Sequence, residues 1–231
     1  MTRQERIAKL KQTAKERVLI LDGSWGVTFQ KMGLQESDYR GERFATHAGQ
    51  MKGNNDILNL TRPDAIAGIC NRYIAAGARL LATNTFNANR ISQADYGMED
   101  RVREINLAAA RIMRECVDAA IAADGIQRWV AGSLGPTNKT LSLSPRVSDP
   151  GYREVTFDGV KDVYREQIEA LFEGGVDFIL IETVFDTLNA KAGIMAVIEA
   201  QDALGRDIPL MISMTLTDLS GRNLSGHTVE A

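Results

Sequence analysis

The sequence predicts an α/β fold of the barrel type, in which about the first five βα units of a (β/α)8 barrel are present. Five short apolar runs are typical of buried parallel strands, and the gaps between them carry helix-period segments. Residues 73–81 and 171–179 also share one pattern: a helix end, a glycine turn, a small residue, a polar residue and a buried strand. Such repetition is typical of a barrel or of a doubly wound sheet.

The predicted elements start with an amphipathic, charged helix over residues 1–16, followed by a partial barrel domain over residues 17–231. The predicted strands are residues 18–21, 79–82, 129–132, 178–181 and 209–213. The predicted helices are residues 63–76, 100–123, 157–173 and 187–204, each closed by a nearby glycine. Residues 27–60 are predicted to form a long loop. Thr228 is predicted to cap a further helix, with Glu230 in its first turn.

The end of the first predicted strand favours a barrel over a doubly wound sheet. The stretch 22–26 (DGSWG) lacks the G-x-G-x-x-G spacing, and a long segment separates it from the helix that starts at Pro63. Five strands cannot close a barrel of eight. The sequence alone therefore leaves two possibilities, a barrel with three units missing or an open sheet.

Composition excludes several classes of function. The net charge of −3 gives no electrostatic footprint for nucleic acid or an anionic membrane. No apolar run approaches the roughly 20 residues that span a bilayer, and the charged N-terminus is unlike a secretory signal. The two cysteines, Cys70 and Cys116, lack the spacing of a zinc site or a disulfide scaffold. We therefore expect a cytoplasmic protein with inert thiols and no metal-binding cluster of its own.

Two acidic residues at strand ends are the strongest site candidates. Asp22-Gly23 combines a carboxylate with free backbone N–H groups, which can hold the ammonium and carboxylate of an amino acid. The alternative is a tight turn with an Asx-type hydrogen bond. Glu182 ends an apolar strand, where an acid is costly unless it faces a polar cavity or a cation. Asp186 is predicted to be the N-cap of the next helix.

Several stretches together resemble the homocysteine-binding module of cobalamin-dependent methionine synthase. The resemblance covers nearly the whole chain after the first helix. The stretches that carry it are 22–26 (DGSWG), 40–44 (RGERF), 52–56 (KGNND), 83–87 (TNTFN), 131–138 (AGSLGPTN), 156–159 (TFDG), 180–192 (LIETVFDTLNAKA) and 224–228 (LSGHT).

This resemblance implies a (β/α)8 barrel in which zinc, held by three cysteines, binds homocysteine as its thiolate. The thiolate then takes a methyl group from cobalamin, which a separate module carries. The resemblance places Asp22, Gly23 and Ser24 near the amino-acid end of homocysteine, Glu182 at its ammonium and Thr85 at a pocket-lining position.

The sequence departs from the family at the metal site. The family's Asn-Cys segment after the sixth strand and its Gly-Gly-Cys-Cys segment near the last strand have no counterpart here. Ala82, Met214 and His227 replace a usual Glu, Gly and Gln. We therefore expect the front part of the module, with no catalytic residue or metal ligand of its own and inactive alone. Its expected partners are homocysteine, the remaining barrel units and the cobalamin and folate modules.

Two other hypotheses remain open from the sequence. One is a non-catalytic amino-acid-binding or interaction protein derived from this module. The other is an unrelated α/β enzyme that uses Glu182 as a general base. Because the last predicted strand would be an open edge, we also expect the chain to aggregate or to associate with a partner.

Overall fold

Four parallel strands in sequential order form the centre of the molecule. The computed structural model describes residues 1–230, and the sheet order is β1-β2-β3-β4. The strands are β1 (Leu80–Ala82), β2 (Trp129–Leu134), β3 (Phe178–Val184) and β4 (Leu210–Met214). The helices are α1 (Arg3–Glu16), α2 (Trp25–Met32), α3 (Glu36–Arg40), α4 (Leu58–Thr61), α5 (Pro63–Ala75), α6 (Arg90–Gln93), α7 (Val102–Asp124), α8 (Phe157–Gly174) and α9 (Thr187–Leu204). Short 3-10 turns occupy Asn55–Ile57, Ala94–Tyr96 and Glu99–Arg101.

The strands confirm the predicted fold class, a partial barrel-type α/β fold, with one correction. The predicted strand at residues 18–21 makes only a single parallel bridge, between Leu21 and Leu80. The Ile20 carbonyl accepts hydrogen bonds from two successive N–H groups, those of Arg79 (2.8 Å) and Leu80 (3.1 Å). A regular ladder alternates its partners, so this doubled contact stops the pairing after one bridge.

The long helices lie close to where the sequence places them. Pro63 occupies the first turn of α5, where its missing N–H is no loss. Asp186 is the N-cap of α9, as predicted, and accepts hydrogen bonds from the N–H groups of Leu188 and Asn189. Residues 229 and 230 form a turn, and up to residue 230 the helix predicted from Thr228 is not formed.

The prediction of a long loop over residues 27–60 is wrong. This segment contains α3, most of α2 and α4, and a 3-10 turn. Its compactness comes from polar contacts across the segment: Glu36 accepts from the N–H groups of Met51 and Lys52, and Arg40 donates to the carbonyls of His47 and Gly49. Such contacts leave no apolar periodicity in the sequence.

Strands β1 to β3 are buried on both faces, whereas β4 is partly exposed. Side chains alternate along each strand, so Leu81, Val130 and Ile179 pack against the helices in one large core. The opposite face forms a second cluster that contacts Leu10 of α1 and Leu19. Its members are Leu80, Ala82, Trp129, Ala131, Phe178 and Leu180.

Helix α1 closes the end of the sheet at which the strands begin. Fully buried Asp177, directly before β3, accepts from Arg6 Nε (2.5 Å), Arg114 Nη1 (2.9 Å) and the Val130 N–H (2.9 Å). The Trp129 indole N–H donates to the Arg6 carbonyl at 2.7 Å. The opposite end of the sheet, where the strands finish, remains available for a site. Within residues 1–230, no helix combines the length and apolar character needed to cross a membrane.

Candidate functional site

A cavity of about 440 Å³ lies at the carboxyl ends of the strands. This is the end at which α/β barrels and open parallel sheets carry their sites. Its walls come from the segment after the Leu21 bridge, the 3-10 turn at residues 55–57 and the ends of β1, β2 and β3. The lining residues are Leu21, Asp22, Gly23, Ser24, Trp25, Gly26, Phe29, Asn55, Asp56, Ala82, Thr83, Asn84, Phe86, Asn87, Ser133, Leu180, Glu182 and Thr183.

Two hydrogen bonds hold Asp22 at the cavity wall. Its Oδ2 accepts hydrogen bonds from the Ala82 N–H (3.0 Å) and from the Trp25 indole N–H (3.3 Å). Burial raises the pKa of the Asp22 carboxyl from 3.8 to about 7, the two donors oppose this rise, and the nearby Glu182 charge adds to it. Asp22 is therefore a carboxyl group whose charge depends on what else enters the cavity.

Glu182 reaches the same cavity from β3. It is half-buried and accepts a hydrogen bond from the Ser133 hydroxyl, which comes from β2. The sequence places Glu182 and Asp22 far apart, and the parallel sheet brings both carboxyl groups into one cavity. Two acids facing one small space favour a cationic ligand group.

Gly23 and Ser24 form the entry to α2. Ser24 is the N-cap of this helix and its Oγ accepts from the Val27 N–H at 3.3 Å. The Ser24 carbonyl accepts from the Tyr73 hydroxyl at 2.9 Å, which ties the turn to α5. The first residues of α2 line the cavity. The N-terminus of a helix carries unpaired N–H groups and favours an anion, so this wall suits a carboxylate.

Thr85 lies behind the cavity, outside the set of lining residues. It is fully buried, and its hydroxyl donates to the Ser133 carbonyl at 2.8 Å and lies 2.6 Å from the Thr83 hydroxyl. Thr83 Oγ1 in turn accepts from the Ser133 N–H at 3.0 Å. These contacts give Thr85 a role in fixing the ends of β1 and β2, and its contact with a ligand stays a prediction.

Asp56 is a cavity residue that the sequence did not single out. It is 2% exposed, and its Oδ1 accepts from the Asn87 N–H at 3.0 Å. Burial raises the pKa of the Asp56 carboxyl to about 7. Asp56 ends the polar stretch KGNND and is not preceded by an apolar strand, so its position in the sequence did not mark it as a residue of the cavity.

The cysteines and histidines lie apart from the cavity walls. Cys70 on α5 is buried in the core between helices and sheet, and Cys116 on α7 packs against that core. His47 Nε2 lies 2.8 Å from the Tyr96 carbonyl, and His227 Nδ1 lies 2.7 Å from the Thr187 hydroxyl. Among the described residues, no group of three His, Cys, Asp or Glu side chains could hold a metal ion.

The fold is similar to that of a methyltransferase of known structure. The metallated form of the homocysteine methyltransferase MmuM from Escherichia coli matches with a TM-score of 0.71 and 20% identity, over 95% of this chain and 70% of that chain. The oxidised form of the same enzyme matches with a TM-score of 0.67 and 21% identity, over 92% of this chain and 66% of that chain. The present chain thus spans about two thirds of the length of these structures.

Identities this low show the fold alone. The sequence model of homocysteine S-methyltransferases provides the further comparison, and it matches residues 19–231, which is nearly everything after α1. The matched range includes every residue that lines the cavity. The chain therefore belongs to the homocysteine S-methyltransferase family.

Proposed function

We propose that the cavity binds homocysteine by its amino-acid end, as part of the homocysteine-binding module of a cobalamin-dependent methionine synthase. One observation carries this proposal: Asp22 and Glu182 share a cavity with the N-terminus of α2. These are two acids and an anion-binding helix end, which match the ammonium and the carboxylate of a free amino acid.

The proposed binding mode follows from the positions of these groups. The ligand ammonium lies against the carboxylates of Asp22 and Glu182, and its α-carboxylate accepts from the N–H groups at Gly23, Ser24 and the first turn of α2. Ser133 holds Glu182 in place by donating its hydroxyl hydrogen to the carboxylate. The lining includes Phe29, Phe86 and Leu180, which suit the apolar methylene groups of the ligand side chain.

The proposed reaction of the whole enzyme is methyl transfer from methylcobalamin to the zinc-bound thiolate of homocysteine, which gives methionine in the cytoplasm. The residues described in this chain do not fit the zinc ion, because Cys70 and Cys116 sit on helices in the core between helices and sheet and neither lines the cavity. We propose that these 231 residues alone recognise the amino acid without transferring a methyl group. Transfer would then require the remaining barrel units and the cobalamin and folate modules as partners.

The proposal is tested by isothermal titration of the chain with homocysteine. Glu182→Gln removes a charged contact to the ammonium and is expected to weaken binding about tenfold or more, since hydrogen bonds to charged groups contribute about 1.5–3 kcal/mol. Glu42→Gln is the matched control, because Glu42 is exposed and is not one of the residues that line the cavity. Binding that Glu182→Gln leaves unchanged would remove Glu182 from the site.

Metal analysis and a methyl-transfer assay address the rest of the proposal. Homocysteine binding without zinc and without transfer is the expected result for this chain. Stoichiometric zinc together with methyl transfer would contradict the proposed inactivity of the chain alone. Homocysteine binding that persists without any turnover after the remaining modules are added would favour a non-catalytic amino-acid-binding protein instead.

A further inference from the structure

A β-bulge near the end of β3 shapes the cavity wall. Ile181 pairs with Ile212 of β4, and the next pair joins Val184 to Met214. Two residues of β3, Glu182 and Thr183, thus face one residue of β4. A bulge of this kind inserts an extra residue and re-aims the side chains that follow.

The bulge changes which face of β3 each side chain occupies. In a regular strand, residues three apart point to opposite faces. Here Ile181 and Val184 both pack in the core between sheet and helices, while Glu182 and Thr183 both line the cavity. The extra residue therefore gives the cavity two adjacent polar side chains without exposing Val184.

Thr183 is the residue that absorbs the distortion. Its φ is +58°, and it is the only non-glycine residue with positive φ in residues 1–230. A β-branched residue is a genuine outlier in this region, whereas glycine adopts it without strain. Backbone stability alone therefore favours glycine here. Strained residues of this kind cluster at ligand-binding sites, where the surrounding structure holds them.

The Thr183 hydroxyl is available to a ligand. Its neighbours are already engaged: the Ser133 hydroxyl donates to Glu182, and Thr83 and Thr85 contact each other. Within the described part of the chain, the Thr183 hydroxyl has no hydrogen-bond partner, and Thr183 lines the cavity beside the Glu182 carboxylate. The side chain thus gives a reason for threonine at a position where the backbone favours glycine.

We propose that Thr183 is a ligand-contacting residue, whose hydroxyl accepts a hydrogen bond from the ammonium group that Glu182 binds, and that the bulge exists to present both groups side by side. This inference rests on the proposed function, since it assumes an amino acid in the cavity. It adds a contact and a strained backbone position to that site.

Homocysteine titration of Thr183→Ser and Thr183→Ala isolates the hydroxyl. Serine keeps it and is expected to bind within about twofold of the wild type, whereas alanine is expected to bind about three- to tenfold more weakly. Thr46→Ala is the matched control, because Thr46 is exposed and outside the cavity lining. Equal affinities for the serine and alanine variants would overturn the contact, while binding by the wild type would leave the proposed function intact. Absence of wild-type binding would overturn both proposals.

Thermal unfolding of Thr183→Gly tests the strain and needs no ligand. Relief of the positive φ is expected to keep or raise the Tm while homocysteine binding weakens. Thr46→Gly, which starts from negative φ, is expected to lower the Tm by about 1–4 °C. A Thr183→Gly variant that loses as much Tm as Thr46→Gly would overturn the strained presentation of the two groups.

Discussion

The Asp22 carboxyl makes folding stability depend on pH. Its pKa rises from 3.8 in the unfolded chain to about 7 in the folded protein, chiefly through burial. Between these two values the folded state binds the proton more strongly, so stability is highest at low pH in this window and falls as pH rises towards 7. A shift of about three units corresponds to a loss on the order of 4 kcal/mol once Asp22 is ionised in both states.

Asp22→Asn is expected to remove this part of the pH dependence. The asparagine oxygen can still accept from the Ala82 N–H and the Trp25 indole, and the side chain carries no charge to bury. Thermal unfolding from about pH 5 to about pH 8 should show a smaller fall for the variant than for the wild type. Asp56, with its own pKa of about 7, remains in both proteins and cancels in the comparison. Parallel curves would show that Asp22 titrates normally.

The raised pKa of Asp22 also leads us to expect that homocysteine binding depends on pH. A ligand ammonium favours the ionised form, so homocysteine binding should release a proton from Asp22 at neutral pH. For a pKa of about 7 the affinity is expected to rise about tenfold from about pH 6 to about pH 8. Titration in buffers of different ionisation enthalpy measures the released proton. An affinity that stays constant over this range, or that changes equally in Asp22→Asn, would contradict the prediction.

At the scale of residues, the sequence could identify acids at strand ends and could not identify an acid that a short 3-10 turn buries. Asp22 and Glu182 follow apolar runs, so their placement at the site was predictable. Asp56 is buried because residues 52–59 fold back over the strand ends, and contacts such as Asn59 Nδ2 to the Asn84 carbonyl (2.7 Å) hold them there. The positive φ of Thr183 likewise depends on pairing with β4, which no local pattern encodes.

At the scale of elements, the contact between α7 and α8 depends on the absence of one side chain. A Cβ at Gly174 would collide with Ala110 Cβ and lie 3.0 Å from the Leu107 carbonyl oxygen. The Leu107 oxygen is a backbone atom, and the Ala110 Cβ is bonded directly to the backbone of α7. Neither atom can therefore rotate away. Glycine therefore sets how closely these two helices approach.

Gly174→Ala is expected to lower the free energy of unfolding by about 1–3 kcal/mol, as overpacking does. Gly68→Ala is the matched control, because Gly68 lies within α5 and a Cβ there meets nothing within 4 Å. That variant should gain about 1 kcal/mol from helix propensity. Urea denaturation of both variants gives the comparison. Two variants with similar stability would show that the helices can separate freely at Gly174.

Helices and strands were predictable where one periodicity runs through the whole element. The apolar runs of β1 to β4 and the glycine that ends each long helix give clear signals. The short helices α2 to α4 carry no such periodic signal, because contacts between residues far apart in the sequence stabilise them. The Arg62 guanidinium, for example, donates to Asp38 at 2.8 Å. The segment at residues 18–21 has a strand-like sequence and lacks a regular partner on its other side.

At the scale of the whole molecule, the sheet has an open edge on each side. At β4, Met211 is 36% and Ile212 is 48% exposed, and on the other side Val18 is 85% and Ile20 is 59% exposed. Each edge of the sheet thus combines exposed apolar side chains with backbone N–H and C=O groups that have no neighbouring strand to pair with. The sequence predicted one of these edges from the position of the last strand, and the second follows from the single bridge at Leu21.

Open apolar edges of this kind pair with other chains, so the 231-residue chain expressed alone is expected to self-associate with rising concentration. Ile212→Lys places a charge on the β4 edge, which opposes pairing, and should shift the chain towards monomer without loss of Tm. Val147→Lys is the matched control: Val147 is 99% exposed in the segment between β2 and α8, outside both edge strands, so its substitution should leave association unchanged. Light scattering coupled to size-exclusion chromatography measures the effect. A wild-type chain that stays monomeric at every concentration and melts cooperatively would show that these edges are stable in water. Equal effects of the two lysine substitutions would show that association depends on general surface hydrophobicity rather than on the sheet edge.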